Sequence, residues 1–180
     1  MAKTIGVLGI QGAIEKHVEI IDQLGYKTAL VKTQEVLSNI DALVMPGGES
    51  TSMIRQLEWY SLLEPLKKIL QDGLPVFGTC AGLILLSNQI KILDISILRN
   101  AYGSQINSFK TDLQVKGIDH KVPAFFIRAP LIEKVSDDVE VLSIYNNNPV
   151  LVKQGKCMAA TFHPELTNDT SIHELFVNII

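Results

Sequence analysis

The N-terminal half of the chain alternates short apolar runs with amphipathic stretches, and this alternation limits the fold more than any other feature. Thr4–Ile10 (TIGVLGI), Lys27–Lys32 (KTALVK), Asp41–Gly48 (DALVMPGG) and Leu74–Thr79 (LPVFGT) each read as a strand. Between the first two, Ile14, Val18, Ile21 and Leu24 recur on one helical face, with Gly25 placed to end the helix. Further helical stretches are expected at about Thr51–Trp59, Leu62–Asp72 and Ala81–Asn88. Strands alternating with helices need right-handed crossovers, so the expected fold is α/β: a mainly parallel sheet with helices on both faces.

After about Lys91 the texture changes to short β-like runs: ILDISIL, PAFFIRAP, VEVLSIY, PVLVKQ and KCMAATFHPE. Ser171, with Glu174 three positions on, has the form of a capping box opening a terminal helix. No repeat or linker interrupts the pattern, so one domain over residues 1–180 is expected. With 47% hydrophobic and 19% charged residues, a 180-residue chain can bury a core without disulfides or metals. The formal net charge of −3, with no Lys/Arg block, argues against nucleic acid as a partner. No apolar stretch approaches the roughly 20 residues that span a bilayer, so no membrane partner is expected. The N-terminus runs into a strand without a signal-cleavage pattern, and Cys80 and Cys157 form neither a disulfide framework nor a CxxC pair. The expected compartment is the reducing cytoplasm.

The chemistry centres on Gly78-Thr79-Cys80-Ala81-Gly82, where a cysteine stands between a buried strand and the mouth of a helix. A tight turn there presents its side chain as a nucleophile elbow, and Gly78 and Gly82 relieve the crowding. The helix N-terminus favours a thiolate, and N–H groups such as that of Ala81 can hold an oxyanion. A small buried cysteine filling a helix–sheet gap is the competing reading. Two further elements favour the nucleophile. In TFHPEL, His163 and Glu165 flank Pro164, which biases His163 to extended geometry; residues two apart then face one side, as a Cys-His-acid triad requires. The alternative for His-x-Glu is a metal pair, but no third ligand stands out and no metal is expected. In MPGGEST, Gly47 and Gly48 lie at the carboxyl end of a parallel strand, where free N–H groups meet ligands.

GTCAGL together with FHPEL resembles the class I, triad-type glutamine amidotransferases. With GVLGIQGA, PGGEST, RNAYG, SF and FIRAP in order along nearly the whole chain, the sequence looks like the branch of glutaminase subunits of pyridoxal 5′-phosphate synthases. The resemblance implies a flavodoxin-like fold and hydrolysis of L-glutamine to glutamate and ammonia. It also implies a (β/α)8-barrel synthase partner that receives the ammonia, in a large hetero-oligomer, and no cofactor for this subunit. By motif, Cys80 is the nucleophile, His163 the base and acid, and Glu165 the orienting carboxylate. Gly47, Gly48, Glu49, Arg99, Ile127 and Arg128 match the glutamine-binding positions. Gly48 and Ala81 are oxyanion candidates, and Gln11, at the end of the first strand, is the candidate for sensing the synthase. Two departures stand out: Ser87–Leu98 is shorter than the family's usual segment, and Ser104 replaces a common arginine.

Cys157 is expected to be an inert strand thiol, and His17 a helix-surface or subunit-contact residue. His120 and His173 receive no role. Trp59 and Tyr60 are expected to pack helix against sheet. The competing functions are another cysteine hydrolase of peptidase or deglycase type, the glutaminase subunit of a different amidotransferase, or an interaction module that kept the fold. The late His-Pro-Glu and the early Pro-Gly-Gly-Glu-Ser argue against the first, and an intact Cys80, His163 and Glu165 against the last.

Overall fold

The computed structural model describes residues 3–98 and 108–180. The strands β1 (Thr4–Leu8), β2 (Lys27–Val31), β3 (Ala42–Met45) and β4 (Val76–Thr79) join in the order β2-β1-β3-β4, all parallel. The helices α1 (Ile14–Gln23), α2 (Gln34–Leu37), α3 (Ser50–Trp59), α4 (Leu63–Gln71) and α5 (Ala81–Ile84) connect or follow them, and α5 runs on as a π-helical segment, Leu85–Ile90.

Four of the five expected C-terminal runs are strands at the expected places: β5 (Ile95–Leu98), β7 (Lys121–Ile127), β9 (Glu140–Tyr145) and β10 (Asn148–Gln154). The fifth run is split. Its first part is β11 (Cys157–Ala160), and its Pro164–Leu166 portion closes into a 3₁₀ turn. The sequence reading did not anticipate β6 (Ser108–Gln114) or β8 (Leu131–Val135). Strand β11 pairs parallel to β4, while β10 and β9 add antiparallel, so the described residues form a seven-stranded sheet ordered β2-β1-β3-β4-β11-β10-β9. The parallel part, 2-1-3-4 and then β11, has flavodoxin-like order with its switch point between β1 and β3. The pairs β5-β8 and β6-β7 are antiparallel two-stranded sheets.

The central strands β1, β3, β4 and β11 are buried on both faces, and alternate residues feed separate cores. On β4, Val76 packs with Met53, Leu57, Leu66 and Leu83 from α3, α4 and α5. Its neighbour Phe77 packs on the other face with Ile21 of α1 and Phe176 of α6 (Ser171–Val177). Helix α1 ends as read, with Gly25 at φ 82° beyond it, a conformation that a residue with a Cβ adopts only with strain. Helix α6 is capped differently from the expected box. Ser171 is its first helical residue, its N–H donates to Asp169 Oδ1 at 2.9 Å, and Thr170 Oγ1 donates to Glu174.

Two expectations about single residues are overturned. Trp59 and Tyr60 do not pack against the sheet; they end α3 pointing outward, 86% and 57% exposed. The apolar stripe of α3 is completed by Met53 and Leu57, which leaves position 59 on the outer face. His17 is not a surface residue. It has no exposed area, and its consequences appear below.

Candidate active site

Gln11, Gly47-Gly48, Cys80 and His163 follow β1, β3, β4 and β11 respectively, so the parallel sheet delivers them all to its carboxyl edge. Cys80 sits at φ 49° and ψ −104°, a conformation rare for a residue with a Cβ, and it N-caps α5. Its N–H donates to the Ala160 carbonyl at 2.8 Å, fastening the elbow to β11. This strained turn is the feature that turns the thiol out of the apolar interior. It also answers why glycines flank the cysteine. A Cβ on Gly82 would lie 2.2 Å from the Met45 carbonyl oxygen, so no side chain fits where α5 meets β3.

Cys80 is 7% exposed and opens into a cavity of about 500 Å³ lined by Gly48, Glu49, Ser50, Thr51, Ala81, Ile84, Arg128 and Pro130. Its sulfur lies 3.9 Å from the Ile127 carbonyl oxygen, so Ile127 contributes backbone to the site. Arg128, on the cavity wall, holds φ 45°, a second strained non-glycine residue at the same place. Gly47 is wedged between the His163 and Cys80 side chains: a Cβ there would lie 2.5 Å from His163 Cε1 and 3.2 Å from Cys80 Cβ. Glu49 is exposed, and its carboxylate accepts from the N–H groups of Thr51 and Ser52 at 2.9 and 2.7 Å, capping α3.

His163 is held at both ends. Its backbone N–H donates to the Phe125 carbonyl at 2.8 Å, and its Nδ1 meets Glu165 Oε1 at 2.7 Å. Burial works against protonation of the ring, but hydrogen bonds to Cys80 and then Glu165 outweigh it, and the imidazole is pushed up to about 10. The ring therefore favours the imidazolium, with the Cys80 sulfur on one side and the Glu165 carboxylate on the other. The route to this geometry is not the one expected. His163 is extended at φ −110° and ψ 87°, but Pro164 starts the 3₁₀ turn, which swings the Glu165 carboxylate back beneath the ring. Glu165 is 2% exposed.

Gln11 lies beside this loop: a Cβ on Gly48 would be 3.5 Å from Gln11 Cγ, and a Cβ on Gly12 would fall 1.7 Å from the Gly47 carbonyl oxygen. Gln11 Oε1 is buried and has no hydrogen-bond partner among the described residues. Arg99 and Ser104 lie outside the described residues. Cys157 is buried on β11, away from the cavity lining, and burial pushes its thiol up to about 12.

A cysteine on a nucleophile elbow, a glycine loop and an imidazole hydrogen-bonded to a carboxylate are the parts of a cysteine amide hydrolase, and the comparison with known proteins decides which. The chain matches the model of the SNO glutamine amidotransferase family over residues 7–180. It belongs to that family. The chain is 50% identical, over 98% of its length and 97% of the relative's, to a pyridoxal 5′-phosphate synthase subunit PdxT of Kosmotoga olearia. A protein of the same name from Thermosipho africanus is 46% identical, with 98% of each chain covered. Among solved structures, a glutamine amidotransferase superposes with a TM-score of 0.90 at 37% identity, covering 97% of both chains. A GMP synthase subunit from Thermoplasma acidophilum, at 18% identity and a TM-score of 0.76, shares the fold.

The sequence reading missed His17 and His173. His17 Nδ1 lies 2.9 Å from His173 Nε2, both rings are fully buried, and His17 Nε2 lies 3.5 Å from Glu165 Oε2. A signal existed: position 17 falls on the same helical stripe as Ile14, Val18 and Ile21.

Proposed function

We propose that residues 1–180 form one glutaminase domain that hydrolyses L-glutamine to glutamate and ammonia and hands the ammonia to a partner synthase subunit making pyridoxal 5′-phosphate. The observation that carries this reading is the series Cys80–His163–Glu165 at the mouth of the cavity beside Gly47 and Gly48. Family membership and the relatives' name, a pyridoxal 5′-phosphate synthase subunit, support the substrate and the partner.

In this reading the Cys80 thiolate attacks the side-chain amide carbon of glutamine, forming a C–S bond and moving an electron pair onto the carbonyl oxygen. The N–H groups of Gly48 and Ala81 are the oxyanion donors. The His163 imidazolium gives its proton to the departing nitrogen, and ammonia leaves with cleavage of the C–N bond. Neutral His163 then takes a proton from water as its oxygen attacks the γ-glutamyl thioester. Breaking the C–S bond restores the thiolate–imidazolium pair and frees glutamate. Glu165 holds Nδ1–H throughout, which keeps Nε2 facing the sulfur. Gly47, Gly48, Glu49, Arg99, Ile127 and Arg128 bind glutamine. An arginine suits its α-carboxylate, and a carboxylate or carbonyl suits its α-ammonium.

The partner is a (β/α)8-barrel synthase, and docking completes the site. The loop 46–49 touches Gly12 and Gln11, so a partner pressing on the first βα loop can turn the Gly47–Gly48 peptide and aim an N–H at the oxyanion. One such donor is worth about 10²–10³ in rate. No cofactor is needed for this chemistry. Among the described residues, no helix is long and apolar enough to cross a membrane. A cytoplasmic location suits two free thiols. The test is glutamate release by the purified chain across a titration of its synthase. The reading predicts a rise to saturation, and no glutamate at saturating synthase would refute it.

A further inference from the structure

Behind the triad, on the side away from the cavity, the Glu165 carboxylate is unfinished. Oε1 accepts from His163 at 2.7 Å, but Oε2 is buried and has no formed hydrogen bond among the described residues. A buried carboxylate oxygen without a donor is costly, and a ring nitrogen stands within reach of it. His17 Nε2, itself buried and without another partner, stands 3.5 Å away. The other nitrogen of His17 is occupied, since Nδ1 lies 2.9 Å from His173 Nε2. His173 is fixed in turn by an edge-on packing against Phe77, with ring centroids 5.7 Å apart at 87°. Its Nδ1 is buried without a partner.

With Glu165 ionised and both rings neutral, one assignment of protons suits all of these contacts. A bare His17 Nε2 would set a lone pair against the Oε2 lone pairs, so Nε2 carries the hydrogen. In a neutral ring Nδ1 is then bare and must accept, which makes His173 Nε2 the donor and leaves His173 Nδ1 bare, the one ring nitrogen of the four that needs no donor or acceptor opposite it. Every N–H in the series then points the same way, from His173 to His17 to Glu165. We infer that His17 is a positioning residue of the glutaminase site, donating Nε2–H to the second oxygen of Glu165, and that His173 sets the His17 tautomer that makes this possible. The inference rests on the triad reading given above, which it extends by two side chains from α1 and α6. The groups facing His17 are His173 from α6 and, from the segment after β11, Glu165 and His163. Burial first, then the charges of His173 and His163, holds His17 well below its ordinary value, which agrees with a neutral ring.

With one oxygen held by His163 and the other by His17, the carboxylate cannot rotate, and the His163 ring keeps its aim at Cys80. Loss of the His17 donor leaves glutamine binding unaltered and lowers the chemical step.

The experiment uses the full chain with saturating synthase partner, comparing wild type, His17→Leu and His17→Gln. The expected result is a fall in kcat of about ten- to a hundredfold for His17→Leu with KM unchanged, the span of one hydrogen bond to a charged group. Gln places an amide N–H near the Nε2 position, so His17→Gln is expected to recover at least a tenfold share of that loss. Equal kcat for wild type and folded His17→Leu would overturn the inference, and so would equal loss in the Leu and Gln variants. A second measurement needs no variant: long-range proton–nitrogen NMR of the wild-type ring nitrogens. The inference predicts hydrogen on Nε2 and none on Nδ1 in both His17 and His173; a protonated Nδ1 on either ring overturns it, even where His17→Leu fails to fold. A wild-type protein that releases no glutamate refutes the glutaminase reading instead, and the ring tautomers still judge the His17 contact.

Discussion

Nδ1 of His163 and Oε1 of Glu165 stand 2.7 Å apart across a single proline, and the turn that joins them is 3₁₀ rather than strand. In the proposed reaction the pair separates two tasks: one side chain moves a proton, and the other keeps the first in place. His163→Asn is expected to cost roughly 10²–10⁴ in kcat, the range for general acid–base catalysis. Glu165→Gln keeps an acceptor at Oε1 but loses the charge, and is expected to cost less, about ten- to a hundredfold. Steady-state glutamate release with synthase present checks the order; a Glu165→Gln defect as deep as that of His163→Asn contradicts it.

Gly47 offers a sharper steric test. Alanine there brings a methyl group within 2.5 Å of His163 Cε1, and the ring is the part that must yield. A displacement of about 1 Å at a reacting group can cost 10²-fold, so Gly47→Ala is expected to lose at least about that much activity while keeping its thermal midpoint. Near-wild-type turnover would mean that the loop retreats instead of the ring.

The two thiols are expected to react very differently. Cys157 is buried with its thiol pushed up to about 12, whereas Cys80 lines the cavity beside the His163 imidazolium. Iodoacetamide on the native protein at neutral pH is expected to label Cys80 alone, as peptide mass spectrometry reads directly. Labelling of Cys157 at a comparable rate would place it outside the core. Cys157→Ala, for the same reason, is expected to leave turnover intact.

The buried histidine pair sets an acid limit on stability. Burial lowers His173 from its ordinary 6.5 to about 4, and His17 is lowered too. Below pH 6.5 the unfolded chain takes up protons that the native chain refuses, so stability falls with pH between about 6.5 and 4. His173 alone accounts for about 3 kcal/mol by pH 4. His163 has the opposite sign: raised to about 10, its contribution is complete below 6.5 and is lost as the pH climbs through 10. Denaturant midpoints measured from pH 6.5 down to pH 4 are expected to fall with net proton uptake on unfolding, and His173→Phe is expected to flatten the slope. A midpoint constant down to pH 4 contradicts the neutral pair.

Most of the site was legible because its parts are local. A strand, a glycine-flanked cysteine and a helix are contiguous, and His-Pro-Glu is a tripeptide, so short-range pattern reached them. The mainly parallel sheet also followed from strand–helix alternation, whereas its flavodoxin-like form followed only from the family resemblance. What escaped depends on distant segments. His17 and His173 are far apart in sequence and meet only because α1 and α6 cover the same face of the sheet; read singly, each is a polar residue on a helix. Strands β6 and β8 carry lysines, acids and polar residues on their outer faces, which hid their alternation. Trp59 and Tyr60 misled in the opposite sense, because apolar size does not fix which side of a helix a residue occupies.

The central claim is that Cys80 forms a covalent γ-glutamyl thioester. The most direct measurement is acid quenching of the synthase-bound protein during turnover with glutamine, followed by peptide mass spectrometry. The account predicts the mass of a glutamyl group on the Cys80 peptide of wild type, its loss on hydroxylamine treatment, and neither adduct nor glutamate release from Cys80→Ala. Glutamate released by Cys80→Ala at a rate near that of wild type would contradict it.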